Sequence, residues 1–437
     1  MQSIQSPRPS VMPLGIPVFL AVVLFAGCAS PDRRQAVLPP TTPDAAPLQL
    51  ERVVMLMRHG VRPPTTAQVT PEGYAREPWS TWDVPPGHLT AHGYQGMVLL
   101  GRWNRQAFSG RGLVPATGCP DAGSVRVRTN TIQRTRESGR GFIEGFAPDC
   151  GLSIEHADGE RNDPLFDTID LGLADHDPDA ARTAIAARVG GDIDSAVPPL
   201  AEAFARLDTI LGCCGPPVCS TSGLPAGCGF ADLSHRWQDT ARKRVKLSGP
   251  LTIGGTAAQT LLLEYVEGKP MDQVGWGRAS AADIELLSQI HAVEFDLHAR
   301  TPYVSHRAAA PILERVLATF NDASAPRLDI LVAHDTNASN VGGALDLHWH
   351  VPGYAPDDAA VGGAIGFELL RDPAGERFVR VFYQAQGTRQ LRELQPLDGD
   401  NPPYVHYMEQ PLCALPADPT RCRYDDFSAA AQSRIVH

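Results

Sequence analysis

Two short apolar runs, near opposite ends of the chain, constrain the fold more than any other feature. They are Leu50-Glu-Arg-Val-Val-Met-Leu-Met57 and Arg327-Leu-Asp-Ile-Leu-Val-Ala333. Neither alternates apolar with polar residues, as a strand with one wet face would. Such runs belong to strands buried on both faces, in largely parallel sheets covered by helices. Val125 and Val127 alternate with Arg126 and Arg128, a strand-like pattern. Thr90 is a candidate helix cap, and Met97, Leu100 and Trp103 share one face of a helix running to about Phe108. A second helical stretch runs from about Ile132 to Phe146. Ile365–Leu370 and Phe378–Tyr383 flank Asp372-Pro-Ala-Gly-Glu376, a hairpin signal. Between Thr168 and Pro302 the chain is rich in Ala and Leu and helical in pattern. Strands thus gather towards the ends and helices in the middle.

The expected fold is α/β: a doubly wound mixed, mostly parallel sheet flanked by helices, with a smaller, mostly helical inserted domain. The core would comprise residues 50–167 and 303–437, and the insertion residues 168–302. With 437 residues, 43% of them hydrophobic, there is ample material for a packed core. Gly 40 and Pro 39 are abundant but not periodic, which excludes a collagen-like chain. The net charge of −11 argues against nucleic acid as the main partner. Lys243, Lys246 and Lys269 are the only lysines; every other basic residue is arginine. Biased base composition explains that, so arginine abundance alone carries no functional weight.

Residues 1–27 read as an export signal. They carry one charge, Arg8, and an apolar run from Val11 to Phe25 interrupted by Pro13 and Pro17. That run is too short and broken for a membrane span. It ends in Leu24-Phe25-Ala26-Gly27-Cys28. Small residues directly before a cysteine resemble a bacterial lipoprotein processing site, with Cys28 as the lipidated N-terminus. Cleavage with soluble release is the alternative. Ala29 after the cysteine favours transfer to the outer membrane, so the expected location is periplasmic, tethered to that membrane. Residues 28–49 read as a proline-rich tether.

Eight cysteines remain: Cys119, Cys150, Cys213, Cys214, Cys219, Cys228, Cys413 and Cys422. An even number in an exported chain implies disulfides. Local pairing gives Cys119–Cys150 and Cys413–Cys422, and leaves the Cys213 to Cys228 group with open connectivity. A zinc site is the weaker reading, because Cys213-Cys214-x4-Cys219 lacks a second ligand pair at ribbon spacing.

The first buried run ends in Arg58-His59-Gly60-Val61-Arg62-Pro63-Pro64-Thr65. Ligand sites in open α/β sheets lie just beyond strand C-termini. Two guanidiniums bracketing an imidazole are costly unless an anion is shared between them. Phosphate suits, because arginine grips its oxygens in a bidentate fork. A bare Arg-His pair would usually be surface ion pairing; a pattern this long after a buried strand is not. The second run ends in His334-Asp335-Thr336-Asn337. A lone His-Asp pair could be a metal site or a satisfied core histidine, but no further ligand pair accompanies it. Neighbouring strands would bring both loops to one crevice.

These stretches resemble the histidine acid phosphatase family of the phosphoglycerate mutase-like superfamily, and its bacterial phytase and glucose-1-phosphatase branch in particular. The resemblance runs from about Val53 to Cys422. It includes Leu89-Thr90 with Gly93, Arg134-Thr135-Arg136, Asp163-Pro164-Leu165-Phe166, Gly275-Trp276-Gly277-Arg278 and Arg300-Thr301-Pro302. It implies that His59 is the nucleophile, forming a phosphohistidine, and that Asp335 protonates the leaving alcohol. Arg58, Arg62, Arg134 and His334 would hold the phosphoryl oxygens, and Thr65 and Thr336 would contact substrate. It implies no metal and no cofactor, since the arginines neutralise charge that Mg²⁺ handles elsewhere. The substrate would be a small inositol or sugar phosphate, the chain monomeric, with no nucleic acid and no membrane contact beyond a lipid at Cys28.

The expected function is an acid phosphomonoesterase acting on phytate or related inositol and sugar phosphates. Alternatives are a broad-specificity or glucose-1-phosphate phosphatase and, in another class, a non-catalytic phosphate-binding lipoprotein. The chain departs from the phytase pattern at Thr66, where lysine is usual, and at Asn130, where an acid is usual. Arg307 is a further candidate phosphate contact on a slipped local alignment. The remaining histidines, His291 among them, read as surface or structural. Trp276 reads as packing and Glu264 as a core-edge ion pair.

Overall fold

An apolar run becomes a central strand when both of its faces are covered, and the computed structural model places both runs so. It describes residues 48–159, 162–238 and 244–437. The expected signal at 1–27, Cys28 and nearly all of the tether at 28–49 lie outside the described residues. In chain order the strands are β1 (Gln49–Arg58), β2 (Val125–Thr129), β3 (Ile154–Glu155), β4 (Arg236–Gln238), β5 (Lys246–Ser248), β6 (Leu328–Ala333), β7 (Ala364–Arg371), β8 (Arg377–Ala385), β9 (Tyr404–Tyr407) and β10 (Arg421–Arg423). Eight form one sheet, in the order β10-β8-β7-β1-β6-β2-β3 with β9 also on β8.

The sheet is mixed, as expected, but parallel pairing is confined to one half. β1–β6, β6–β2 and β2–β3 are parallel. β1–β7, β7–β8, β8–β9 and β8–β10 are antiparallel. "Mostly parallel" therefore overstates it. The hairpin at Asp372 turns the chain straight back, and β9 and β10 each return antiparallel onto β8.

Side chains alternate across β1. Val53, Met55 and Met57 pack on one face with α1 (Ala91–Gly110) and α2 (Gln133–Phe146). Val54 and Leu56 pack on the other, in a cluster with Ile312, Val316 and Val341. That cluster continues into Phe204, Leu261 and Leu287, from the mainly helical stretch 168–302. Only the short ladder β4–β5 interrupts the helices there, among the described residues. Thr90 caps α1, its hydroxyl accepting from the Gly93 amide at 2.9 Å.

Cys119–Cys150 and Cys413–Cys422 pair as expected. Within the open group, Cys219 pairs with Cys228, and Cys213 with its neighbour Cys214.

Candidate active site

Parallel pairing brings three strand ends together. Arg58 and Ala333 are register partners, and the His59 amide donates to the Ala333 carbonyl at 3.1 Å. Beyond β2, the Asn130 amide donates to Val332 at 2.9 Å, which brings the first turn of α2 to the same edge. His59 and His334 consequently face each other edge-on, ring centroids 5.5 Å apart.

His59 is buried at 1% exposure. Its Nδ1 lies 2.8 Å from the Gly60 carbonyl. A carbonyl can only accept, so Nδ1 carries the proton and Nε2 keeps its lone pair. Burial, then Arg134, Arg62, His334 and Arg58, hold the imidazole well below the ordinary histidine range. The ring is therefore neutral at mildly acidic pH, as a nucleophile must be. The loop behind it is held tightly. The Gly60 amide donates to Ser138 Oγ of α2 at 3.0 Å, and the Thr90 amide donates to the Val61 carbonyl at 3.0 Å.

The arginines divide into two kinds. Arg58 is fully buried, and its Nη groups are engaged by the Ala359 carbonyl, Gln259 Oε1 at 2.7 Å and Asp335 Oδ2 at 2.9 Å. Arg62 and Arg134 are under-satisfied. Arg62 Nη1 has the Pro63 carbonyl at 2.9 Å, and Arg134 Nη1 has Gly87 at 3.4 Å. The Nε groups of Arg58, Arg62 and Arg134, and Nδ1 of His334, are buried without a partner. Burial, then the charge of Arg134, pushes Arg62 down to about 9. Burial, then Arg134, pushes His334 down to about 3. Mutually repelling cations with idle donors describe an anion site. The eleven-residue helix Asp335–Leu345, whose N-cap is His334, adds its N-terminal end to the same place.

Asp335 opens that helix, and the Thr336 amide donates to its Oδ1 at 2.8 Å. Burial works to keep its proton on, but the Arg58 guanidinium, then His291, His59 and Arg62, outweigh burial and hold the carboxylate ionised. Thr336 is half-buried beside it, with Oγ1 3.4 Å from Oδ1. Thr65 is exposed at the mouth, its Cα close to Gly87, next to Arg134. The eight residues expected to act on substrate therefore gather at these strand ends or beside them, whereas Cys28, the expected lipidation residue, lies outside the described residues.

Other candidates resolve differently. Arg307 donates to the Asp175 and Tyr303 carbonyls and lies over the Tyr303 ring, so it makes no phosphate site. Asp163 is buried against Arg128 and is structural. Trp276 packs on Trp79 and donates to Pro78, as expected of packing. Among the described residues Glu264 has no cation within ion-pair distance: it is buried and accepts from the Gly275 amide. Where the phytase pattern has an acid, Asn130 donates to Asp167 Oδ2 at 2.9 Å, so Asp167 brings a carboxylate near Arg134. The sequence does not single out Gln259, Asp358 or the Ala359 carbonyl. Gln259 leaves little trace, being one of several polar residues, Glu264 and three threonines among them, in the otherwise apolar helix Pro250–Val266.

Comparison with known proteins agrees with this geometry. The model for the histidine phosphatase superfamily (branch 2) matches residues 49–186. Phytase AppA of Escherichia coli K12 is 31% identical over 388 residues, covering 84% of this chain and 89% of that one. A Salmonella typhimurium glucose-1-phosphatase is 29% identical, covering 88% and 92%. The phytase structure from Citrobacter braakii superposes with a TM-score of 0.83 at 30% identity, covering 89% of this chain and 98% of that one.

Proposed function

This chain belongs to the histidine phosphatase superfamily, and from that premise we propose that it hydrolyses phytate or related inositol and sugar phosphates by way of a phosphohistidine. Nε2 of His59 attacks phosphorus, so an N–P bond forms as the ester P–O bond breaks. Asp335 gives its proton to the departing alkoxide. Water then attacks the phosphohistidine, Asp335 takes up a proton from it, and inorganic phosphate leaves His59 free. Arg62, Arg134 and His334 hold the phosphoryl oxygens, while Arg58 offers its idle Nε and steadies Asp335. Thr65 and Thr336 contact the substrate beyond the phosphoryl group.

The observation that carries this reading is His59 itself, with Nδ1 tied to Gly60 and Nε2 left among cations with unfilled donors. A protein that only bound phosphate would have no use for a carboxylic acid at position 335. The thin supply of lysine, and Thr66 at an exposed mouth position, favour a second reading of substrate range. Under it, sugar monophosphates or a broad set of esters are turned over better than phytate. The four disulfides support an exported protein; a lipid at Cys28 holding it at the outer membrane, an inserted domain at 168–302 and a monomeric state complete the proposal.

The test is turnover of phytate, glucose-1-phosphate and p-nitrophenyl phosphate at acid pH, with and without a chelator. Rapid quenching in alkali, in which an N–P bond survives, with substrate radiolabelled in the phosphoryl group should trap label on the wild-type protein and none on His59→Ala. Substantial turnover by a folded His59→Ala protein would refute the covalent route.

A further inference from the structure

Behind Asp335 lies a buried pair that the reaction as described does not use. His291 Nδ1 is 2.8 Å from Asp358 Oδ1, with side chains 6% and 1% exposed. His291 projects from the helix Ala281–His298, in the mainly helical stretch. Asp358 belongs to the loop leading into β7. The next residue, Ala359, supplies the carbonyl that holds Arg58. The loop is anchored at several points: Trp349 Nε1 donates to the Asp358 carbonyl at 2.8 Å, the Tyr383 hydroxyl accepts from the Ala360 amide at 2.9 Å, and Ser288 Oγ accepts from the Ala355 amide at 2.7 Å. Ser288 lies one helical turn before His291, so the helix docks on this loop at two successive turns.

We propose that His291, anchored by Asp358, is a positioning residue that completes with Arg58 the cationic cradle from which Asp335 donates its proton. The inference rests on Asp335 being that donor. Burial works against a charged imidazole, but Asp358 outweighs it and holds His291 above the ordinary histidine range. His291 is therefore a cation at acid pH, and it is within electrostatic reach of Asp335. The groups facing it are Asp358 from the loop, Asp335 from its helix, Arg58 from β1, and Glu294 and His298 from its own helix. Burial pushes Glu294 up to about 8 and His298 down to about 4. Both are neutral near pH 6, which leaves Asp358, Asp335, Arg58 and His291 as the charged set.

A second cation beside Asp335 makes it a more willing donor to poor leaving groups, at the cost of losing its proton at lower pH in the complex. His291→Asn should therefore lower kcat on an alkyl phosphate about tenfold while p-nitrophenyl phosphate changes less than about twofold. It should also move the alkaline limb of kcat to higher pH, since kcat reports groups in the complex, and leave the limb of kcat/KM in place. Asp358→Asn keeps shape and a hydrogen-bond acceptor but removes the charge that holds the imidazolium. It should match wild type at the acid end, where His291 is protonated regardless, and match His291→Asn at the upper end. Equal losses on both esters with unmoved limbs would reduce the pair to a structural contact. If His291→Asn fails to fold, Asp358→Asn decides alone, and a uniform loss across pH would overturn the proposal. Asp335→Asn is run alongside. If that variant does not discriminate between the esters, the donor reading fails; if it does and the His291 and Asp358 variants move nothing, only this inference fails.

Discussion

Arg58 Nη2 lies 2.9 Å from Asp335 Oδ2, so the last residue of β1 grips the first residue of the helix that follows β6. The proposed acid is thus an ion, paired with a guanidinium that is itself fully buried. The proposed chemistry nevertheless needs one proton at Asp335.

The substrate can bring it. A phosphate monoester loses its second proton near pH ~6, so below that it arrives as a monoanion. Binding as the dianion hands the proton to Asp335, whose partner cations then share the phosphoryl charge. The sign follows. As pH rises through the ester's own second pKa, the proton-bearing form disappears and kcat/KM falls. Below it the rate is flat until His59, held well under its ordinary value, protonates. The optimum is acidic, and the alkaline limb of kcat/KM should shift with the second pKa of the ester. Profiles for two esters of different acidity at constant ionic strength check this; one common limb would mean that an enzyme group supplies the proton.

Gly60 is required by space. A Cβ there would sit 2.8 Å from the Gly93 carbonyl oxygen and 3.1 Å from Leu89 Cδ1. The carbonyl belongs to the first turn of α1 and cannot yield easily. Gly60→Ala should push the His59 loop out by a fraction of an ångström. A misplacement of about 1 Å can cost about a hundredfold in rate, so a fraction of that shift should cost roughly tenfold. The expected result is a kcat loss of that size with a smaller change in KM and an intact fold by circular dichroism. Unchanged kcat would mean that the loop has slack.

The strand ends were legible because apolar runs stop abruptly where the catalytic-type residues begin. Thr90, the Asp372 hairpin and two of the cystines were legible because their partners are close in sequence. Arg58 was only half legible. Its position beside His59 suggests a phosphate ligand, yet packing turns its Nη groups to Gln259 and Asp335, 201 and 277 residues away. Gln259, His291 and Asp358 have no periodic pattern to mark them. Nothing local distinguishes a buried histidine that touches the site from one that merely fills space. The antiparallel half of the sheet was under-read because a hairpin signal fixes two strands, not their neighbours.

Asp329 supplies a stability test separate from catalysis. It lies in β6, fully buried, and accepts from Arg126 at 2.8 and 3.0 Å, Arg315 at 2.8 Å and Thr319 at 3.3 Å. Breaking a buried pair typically costs about 3–5 kcal/mol. The two arginines are about a quarter exposed and can turn to water, so Asp329→Ala should sit near the lower end of that range. Denaturant unfolding with the disulfides intact measures it, while kcat at saturating substrate stays as in wild type. A loss below about 1 kcal/mol would put the network in the class of surface ion pairs.

Thr66 tests substrate range. It is exposed at the mouth, one residue beyond Thr65, and its hydroxyl donates to the Gln68 carbonyl at 2.8 Å. Thr66→Lys would add one cation where the leaving part of a large substrate must pass. A charge pair near 4 Å in water is worth about 1 kcal/mol, or about fivefold in binding. An inositol polyphosphate offers several further phosphates to such a cation, and p-nitrophenyl phosphate offers none. KM for phytate should therefore fall about fivefold, with KM for p-nitrophenyl phosphate unchanged. Raising salt to about 1 M shrinks the screening length to about 3 Å and should erase the gain. Equal changes for both substrates would show that residue 66 acts on the shared phosphoryl site instead of the mouth.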